Sequence, residues 1–242
     1  MALARFYLDQ ALTSGESVEV PAETVRHIKA RRIRPGETVT VFNGRGGEFE
    51  ARLETLDRRS ATLTVGTHHE WDAESPLRVT LLQGICKGER MDFAVQKAVE
   101  LGVAELVPVM TRHTVVRLDA DRAERRREHW QRVAVSACEQ CGRNTIPAVH
   151  IPTSFSDVLE GRTEGLRLLL AASGPQRLSE MLRGAAAVDL LVGPEGGLHP
   201  EEEAAAEAAG FQPVGLGPRV LRTETAGVAA LAALQVLAGD LG

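Results

Sequence analysis

The segment Leu216-Gly217-Pro218-Arg219-Val220-Leu221-Arg222-Thr223-Glu224-Thr225-Ala226 is the part of the chain richest in groups that could do chemistry. Two Arg stand three apart, and Thr223 and Thr225 flank one acid, Glu224. Gly217 and Pro218 set a tight turn after a short apolar strand, and an Ala/Leu-rich helix follows. A second glycine loop, Gly193-Pro194-Glu195-Gly196-Gly197, also lies between an apolar strand and a helix. Two such loops at neighbouring strand ends form one crevice, because ligands of open α/β sheets bind outside the carboxyl ends of the strands. Glycines there let backbone N–H and C=O groups approach a flat ligand such as adenine. The loop matches neither G-x-G-x-x-G nor the Walker pattern, and on residues alone a plain strand-to-helix turn remains the alternative.

Other candidates carry less. Cys138-Glu139-Gln140-Cys141 has C-x-x-C spacing, but a zinc site needs two more ligands and Cys86 with scattered His supports it poorly. No metal is expected, and the pair reads as a helix end. Arg143-Asn144 leaves that helix as a loop cap or as a pair reaching into the crevice. His113, between Arg112 and Thr114, reads as a surface or satisfied histidine. No Ser/His/Asp constellation or H-E-x-x-H motif occurs, which argues against the common hydrolases.

Net charge is −5 over 242 residues, so the chain as a whole does not advertise nucleic-acid binding. Its distribution does: Arg26, Lys29, Arg31, Arg32 and Arg34 cluster with no acid among them. Arg122, Arg125, Arg126, Arg127 and Arg132 form a second cluster diluted by Asp121, Glu124 and Glu128. Arg suits forked phosphate contacts and stacking on bases, and solvated helix faces are the alternative. At 43% hydrophobic and 25% charged, the composition is that of a folded soluble protein. No apolar run is long enough to span a bilayer, Met1–Arg5 lacks a signal-peptide core, and three Cys do not make a disulfide framework. The expected compartment is the cytoplasm, with no membrane partner.

The first seventy residues predict short strands at Arg5–Leu8, Glu37–Phe42, Glu48–Leu53 and Ala61–Val65, with a helix at Pro21–Ala30. Asn43-Gly44 is a tight-turn signal. This pattern predicts a small β-barrel, and the polar stretch His68–Pro76 predicts a linker. The expected domains are 1–72 and 73–242. From Leu77 the rhythm becomes strand, helix, strand, helix. Strands are predicted at Val79–Leu82, Glu105–Val109, Leu166–Leu170, Val188–Val192 and Val214–Leu216. Helices are predicted over Met91–Leu101, Ala120–Cys141, from Pro200 to Gly210, and over Thr225–Ala238. Such alternation implies an α/β domain with a mostly parallel sheet covered on both faces.

Taken together, several stretches resemble one family, ribosomal RNA small subunit methyltransferase E of the SPOUT superfamily. They are Lys87-Gly88-Glu89-Arg90-Met91-Asp92, Gln96–Gly102, Glu139-Gln140-Cys141-Gly142-Arg143, Gly193–Gly197 and Leu216–Ala226. Arg5-Phe6, His27-Ile28 and Phe42-Asn43-Gly44 resemble the family's PUA-like RNA-binding barrel. The family commonly has Ser where Cys141 stands, and Ser or Thr where this chain has His199, a change expected to weaken the cap of the following helix.

The resemblance implies a SPOUT-type parallel-sheet domain tied in a deep trefoil knot, a homodimer, and S-adenosylmethionine held in three knot loops. Those loops are the one around Ala171–Gly174, then Gly193–Gly197, then Leu216–Thr225. Their expected cofactor contacts are Ala172, Gly193, Glu195, Gly196, Gly197, Leu216, Gly217, Leu221, Thr223, Glu224 and Thr225. The implied reaction is methylation of N3 of a uridine in 16S ribosomal RNA, with the RNA or the small ribosomal subunit as partner. Two other readings stay open: a SPOUT enzyme for another RNA such as transfer RNA, and a non-catalytic assembly factor. Uracil N3 must lose its proton before it attacks, and an Arg near the ring oxygens would stabilise the anion. Arg222 is the first candidate for that role and Arg143 the second. A brace between Arg222 and Glu224 is the structural alternative. Arg26, Lys29, Arg31, Arg32 and Arg34 are the candidate RNA contacts.

Overall fold

A computed structural model describes residues 3–114, 119–161, 165–171, 174, 176–182 and 184–242. The chain divides into two compact units. The first holds Met1–Glu74 together with Cys138–Ile146, and the second holds Ser75–Ala137 and Pro147–Gly242.

In the first unit, β1 (Arg5–Tyr7), β2 (Ser17–Glu19), β3 (Thr38–Phe42), β4 (Glu48–Leu56) and β5 (Ala61–His69) form one sheet, and α1 (Ala22–Ala30) lies between β2 and β3 in the chain. The order is β1-β3-β4-β5-β2, parallel between β1 and β3 and antiparallel elsewhere. Alternating residues of the strands bury one face, and Val25 and Ile28 of α1 join Phe6, Leu8, Val39, Val41, Leu53 and Leu63 in a single core. Strands β4 and β5 run further than their alternation predicted. His68 and His69 pair with Phe49 and Glu48, so the expected linker loses its first residues to the sheet. Residues 138–146 belong to this unit through polar anchors. The Glu139 carboxylate accepts from the Tyr7 N–H at 3.0 Å, and Asn144 Oδ1 accepts from the Arg5 guanidinium at 2.5 Å.

The second unit alternates β6 (Arg78–Gly84), α2 (Glu89–Glu100), β7 (Glu105–Met110) and α3 (Ala120–Cys141), whose last residues are counted with the first unit. Then come β8 (Ala148–Val149), β9 (Thr153–Ser154), α4 (Phe155–Glu160), β10 (Leu166–Leu170), β11 (Gln176–Arg177) and α5 (Leu178–Met181). The chain ends with β12 (Ala187–Val192), α6 (Pro200–Ala208), β13 (Gln212–Gly215) and α7 (Thr223–Ala238). The sheet order is β11-β13-β10-β12-β6-β7-β8, and its described ladders are all parallel. This explains why β10 and β12 are apolar on both faces but for the facing pair Arg167 and Asp189. Register aligns Leu169, Leu191 and Leu82 in one row, packed with Phe155 of α4, Ala206 of α6 and Phe211. The next row, Leu168, Leu190 and Leu81, faces the other way and is at most 1% exposed. Helix α7 packs on that side against β6, β12 and α2. Each such Leu contributes about 1.5–3 kcal/mol by leaving water.

Two helix starts differ from expectation for local reasons. Helix α2 begins at Glu89, because Gly88 adopts φ 59° and turns the chain into the helix two residues early. Helix α6 is well capped: the His199 ring accepts from the Glu201 N–H at 3.3 Å, and the Glu202 carboxylate accepts from the His199 N–H at 2.9 Å. Histidine thus does here what Ser or Thr would do, and the expected weakening is absent.

Candidate functional site

All parallel strands of the second unit point their carboxyl ends to one edge of the sheet, and a cavity of about 340 Å³ opens there. That volume lies within the range of small-molecule sites. Leu170 and Ala171 reach it from β10, Val192 and Gly193 from β12, and Leu216 and Gly217 from the end of β13. The first turn of α7 closes one side with Thr223, Glu224 and Ala226, and Arg90 of α2 closes another.

Most expected cofactor residues meet here. Gly193, Glu195, Gly197, Leu216, Gly217, Leu221, Thr223 and Glu224 line the cavity. Gly196 and Thr225 do not. Thr225 is on the exposed side of α7, and its N–H is spent on the Arg222 carbonyl at 2.9 Å. A Cβ built on Gly196 would meet His113 at 3.2 Å, so the missing side chain makes room for that ring. Ala172 lies outside the described residues, as does Ser173.

Thr223 ties two of the loops together. Its hydroxyl donates to the Gly193 carbonyl at 2.5 Å and accepts from Gln83 Nε2 at 3.1 Å. Gln83 is fully buried, and Nε2 also donates to the Gly84 carbonyl at 3.1 Å. Beside it, burial pushes the Cys86 thiol up to about 12, opposed only in part by the Thr223 hydroxyl. Cys86 is therefore a neutral packing group and not a nucleophile.

The charged groups are unevenly partnered. Glu195 Oε1 accepts from the Lys87 N–H at 2.9 Å and from Arg90 at 3.3 Å. Partial burial would raise the Glu195 carboxyl, but the Lys87 N–H and Arg90 outweigh it and hold it below the usual carboxylate range. Arg90 Nε also stands 3.9 Å from Glu224 Oε1, so Arg90 lies between two acids. Glu224 Oε2 is buried and has no hydrogen-bond partner among the described residues. Arg219 and Arg222 are exposed and line the cavity, and neither side chain forms a hydrogen bond or ion pair with a described residue. An ion pair between Arg222 and Glu224 is thus not what braces the turn; the partner of Glu224 is Arg90.

Arg143, the second catalytic candidate, has a structural partner. It lies in the first unit, 3% exposed, with its guanidinium on both carboxylate oxygens of Glu74. A buried cation is held in this way because it has lost its water. Arg143 anchors the segment after α3 through Glu74 and is not among the residues that line the cavity. Cys138 in the same segment is fully buried, and burial pushes its thiol up to about 12. Among the described residues no group of His, Cys, Asp and Glu is arranged to hold a metal ion. None of the described helices is long and apolar enough to cross a membrane.

The basic residues of the first unit form a separate candidate surface. Arg26, Lys29, Arg31, Arg32 and Arg34 are all exposed, and none forms a salt bridge with a described residue. Lys29 donates to the Arg58 carbonyl at 3.0 Å, and Arg31 lies 6.0 Å from the centre of the Phe6 ring.

Sequence reasoning missed Arg90 and Arg219 as cavity residues. The signal for Arg90 was available: it follows the carboxyl end of an apolar strand, where ligands of such sheets bind.

Comparison with known proteins bears on both units. A model of the RNA methyltransferase domain matches residues 73–235, and a model of the RNA methyltransferase PUA domain matches residues 20–74. Ribosomal RNA small subunit methyltransferase E of Mycobacterium tuberculosis is 32% identical over 246 residues, covering 98% of this chain and 93% of that protein. Its Bacillus subtilis counterpart is 29% identical over 256 residues, covering 98% and 100%. Among solved structures, ribosomal RNA small subunit methyltransferase E from Neisseria gonorrhoeae, bound to S-adenosylmethionine, superposes with TM-score 0.93 at 41% identity, covering 99% of this chain and all of that one. A Legionella pneumophila protein in complex with the same cofactor gives TM-score 0.96 at 36% identity over the whole of both chains.

Proposed function

The chain belongs to the ribosomal RNA small subunit methyltransferase E family, and from that membership we propose that it uses S-adenosylmethionine to methylate N3 of a uridine in 16S ribosomal RNA. One observation carries the assignment of the site: the guanidinium of Arg222, with no partner among the described residues, lines the same cavity as the Gly193–Gly197 and Leu216–Leu221 loops.

The cavity fits the cofactor chemically. Glu224 Oε2 is an orphaned acceptor at its wall, suited to a hydroxyl or amine donor of the ligand. Gly193, Gly197, Leu216, Gly217 and Leu221 would hold the adenosine through backbone groups, and Thr223 fixes the spacing of the two loops. When bound, S-adenosylmethionine supplies a methyl group on a positively charged sulfur that is already a good leaving group. The chain itself must then supply alignment and an electron-rich acceptor. Arg222 stabilises the negative charge that spreads to the uracil oxygens once N3 loses its proton. Among the described residues no carboxylate pairs with its guanidinium, which leaves its charge for the substrate. N3 lies on the pairing edge, so the base enters unpaired or flipped.

The first unit carries the RNA backbone. The exposed cations Arg26, Lys29, Arg31, Arg32 and Arg34 suit phosphates, which fix register without reading sequence. The division of labour places RNA holding in the unit built around Met1–Glu74 and chemistry in the unit built around Ser75–Gly242. We further propose that the second unit carries the trefoil knot. In support, β13 lies beyond β10 in the sheet, yet the next element, α7, packs back against β6 and β12. The working form is a homodimer. Val236 and Leu237 of α7 and Leu241 beyond it are about half exposed, an apolar patch that a second copy would cover. A cytoplasmic location fits a ribosomal RNA substrate.

The test is transfer of labelled methyl from S-adenosylmethionine to small ribosomal subunits that lack the modification. The chain should label 16S ribosomal RNA, and loss of labelling in Arg222→Ala with cofactor binding retained would support the assigned site. A chain that binds RNA but no cofactor would refute it.

A further inference from the structure

We infer that His113 is a positioning residue that holds the Gly193–Gly197 loop in its cofactor-binding form from outside the cavity. The inference rests on the cavity being the cofactor site.

Three observations support it. First, the His113 ring lies against Gly196: a Cβ there would be 3.2 Å from His113 Cβ and 3.3 Å from Cγ. A side chain at this position would press on the histidine behind the loop. Second, His113 Nδ1 is 3.0 Å from the Gly197 carbonyl oxygen. A carbonyl only accepts, so Nδ1 carries the proton and donates. Gly197 adopts φ 70° at the end of a turn closed by its own N–H on the Pro194 carbonyl at 2.9 Å. The histidine therefore fixes the flexible last residue of the loop while Gly193, Glu195 and Gly197 line the cavity.

Third, His113 is itself held. The Thr114 N–H donates to the Thr111 carbonyl at 3.0 Å, and the Thr111 N–H to Thr114 Oγ1 at 2.9 Å, which closes a turn around Arg112 and His113. The Arg112 N–H donates to Glu202 Oε1 at 2.9 Å, and Glu202 Oε2 accepts from the His199 N–H at 2.9 Å. One nearly buried carboxylate thus ties the His113 turn to the residue that follows the glycine loop by two. A loop anchored from behind in this way loses little entropy when a ligand binds.

The test uses the full-length chain, with isothermal titration of S-adenosylmethionine, steady-state methylation of 16S ribosomal RNA and melting curves. His113→Ala should weaken cofactor binding about 5- to 10-fold, as the loss of one hydrogen bond predicts. The turnover rate at saturating cofactor should stay within about twofold, because Arg222 is untouched. His113→Asn, whose amide nitrogen can donate from the same distance along the side chain, should restore binding. His113→Phe keeps a ring but no donor and should behave like Ala. Gly196→Ala should weaken binding by pushing the ring away, and its effect should not add to that of His113→Ala. The inference is overturned if a folded His113→Ala binds cofactor as the unaltered chain does, or if Asn fails to rescue. Absence of binding by the unaltered chain would remove the cofactor site and this inference together; binding that His113→Ala leaves intact removes the inference alone.

Discussion

Replacement of Arg222 by Ala separates a catalytic arginine from a structural one. The side chain is exposed and forms no ion pair or hydrogen bond with a described residue. Its removal leaves no buried partner uncompensated, so stability should change by less than about 0.5 kcal/mol. For a domain of this size that is a melting shift of no more than about 2 °C. Cofactor affinity should hold within about twofold, because the loops keep their tie through Thr223 to Gly193. The rate should fall by about 10²–10³, or about 2.7–4 kcal/mol, as for loss of one preorganised donor aimed at developing charge. Raising the pH should recover part of that loss, since hydroxide makes more of the uracil anion unaided. The assay is single-turnover methylation across a pH series kept below about 9, with melting curves and cofactor titrations in parallel. If stability and cofactor binding collapse together with the rate, and no pH restores it, Arg222 is a brace and the catalytic assignment fails.

Thr223→Val, nearly the same shape, leaves the Gly193 carbonyl and Gln83 without their shared partner. It should destabilise the chain by about 1–3 kcal/mol, seen as a melting shift of about 2–4 °C per kcal/mol, and weaken cofactor binding as well. Unchanged melting would show that the two loops do not depend on that hydroxyl. Replacing Arg31, Arg32 and Arg34 with Ala should weaken RNA binding across sequences and lower the slope of log K against log salt by up to about 0.7–0.9 for each phosphate no longer neutralised; an unaltered slope would make the cluster a solvated face. Stability should also decline at alkaline pH. Burial holds the thiols of Cys86 and Cys138 up to about 12 against an ordinary 9.0. Below pH 9 both folded and unfolded chains keep these protons, and above it the unfolded chain releases them while the folded one does not, so stability is lost as pH rises from 9 toward 12. Urea titrations at pH 8 and pH 10 check this, and Cys86→Ala should flatten the difference.

The sheet was legible because its strands are buried on both faces: Leu166–Leu170 and Val188–Val192 are apolar but for Arg167 and Asp189, which pair with each other, and both lie where their sequences predicted. The crevice was legible because two glycine loops follow such strands. Harder to read was anything set by partners distant in sequence. Arg143 reads from sequence as a loop cap or as a group reaching into the crevice, and its pairing with Glu74, far upstream, is not legible there. Gly196 looks like space for a ligand, and only the return of Arg112-His113 to the loop shows what fills it. His199 reads as a poor cap because propensity ranks Ser, Thr, Asp and Asn above it, but the Glu202 carboxylate completes a reciprocal pair around it. Helix α7 starts at Thr223, two residues before the expected Thr225, because the Arg222 carbonyl already accepts from the Thr225 and Ala226 N–H groups.

The activity proposed for this chain is transfer of a methyl group to N3 of one uridine of 16S ribosomal RNA. The most direct measurement incubates the purified chain and S-adenosylmethionine with small subunits from cells lacking the modification, digests the RNA and identifies the modified nucleoside and its position by mass spectrometry. The expected result is N3-methyluridine at a single position, approaching one per RNA, with a loss of about 10²–10³ in rate for Arg222→Ala. A methyl group on another atom or another RNA class, or cofactor binding with no transfer at all, would contradict it.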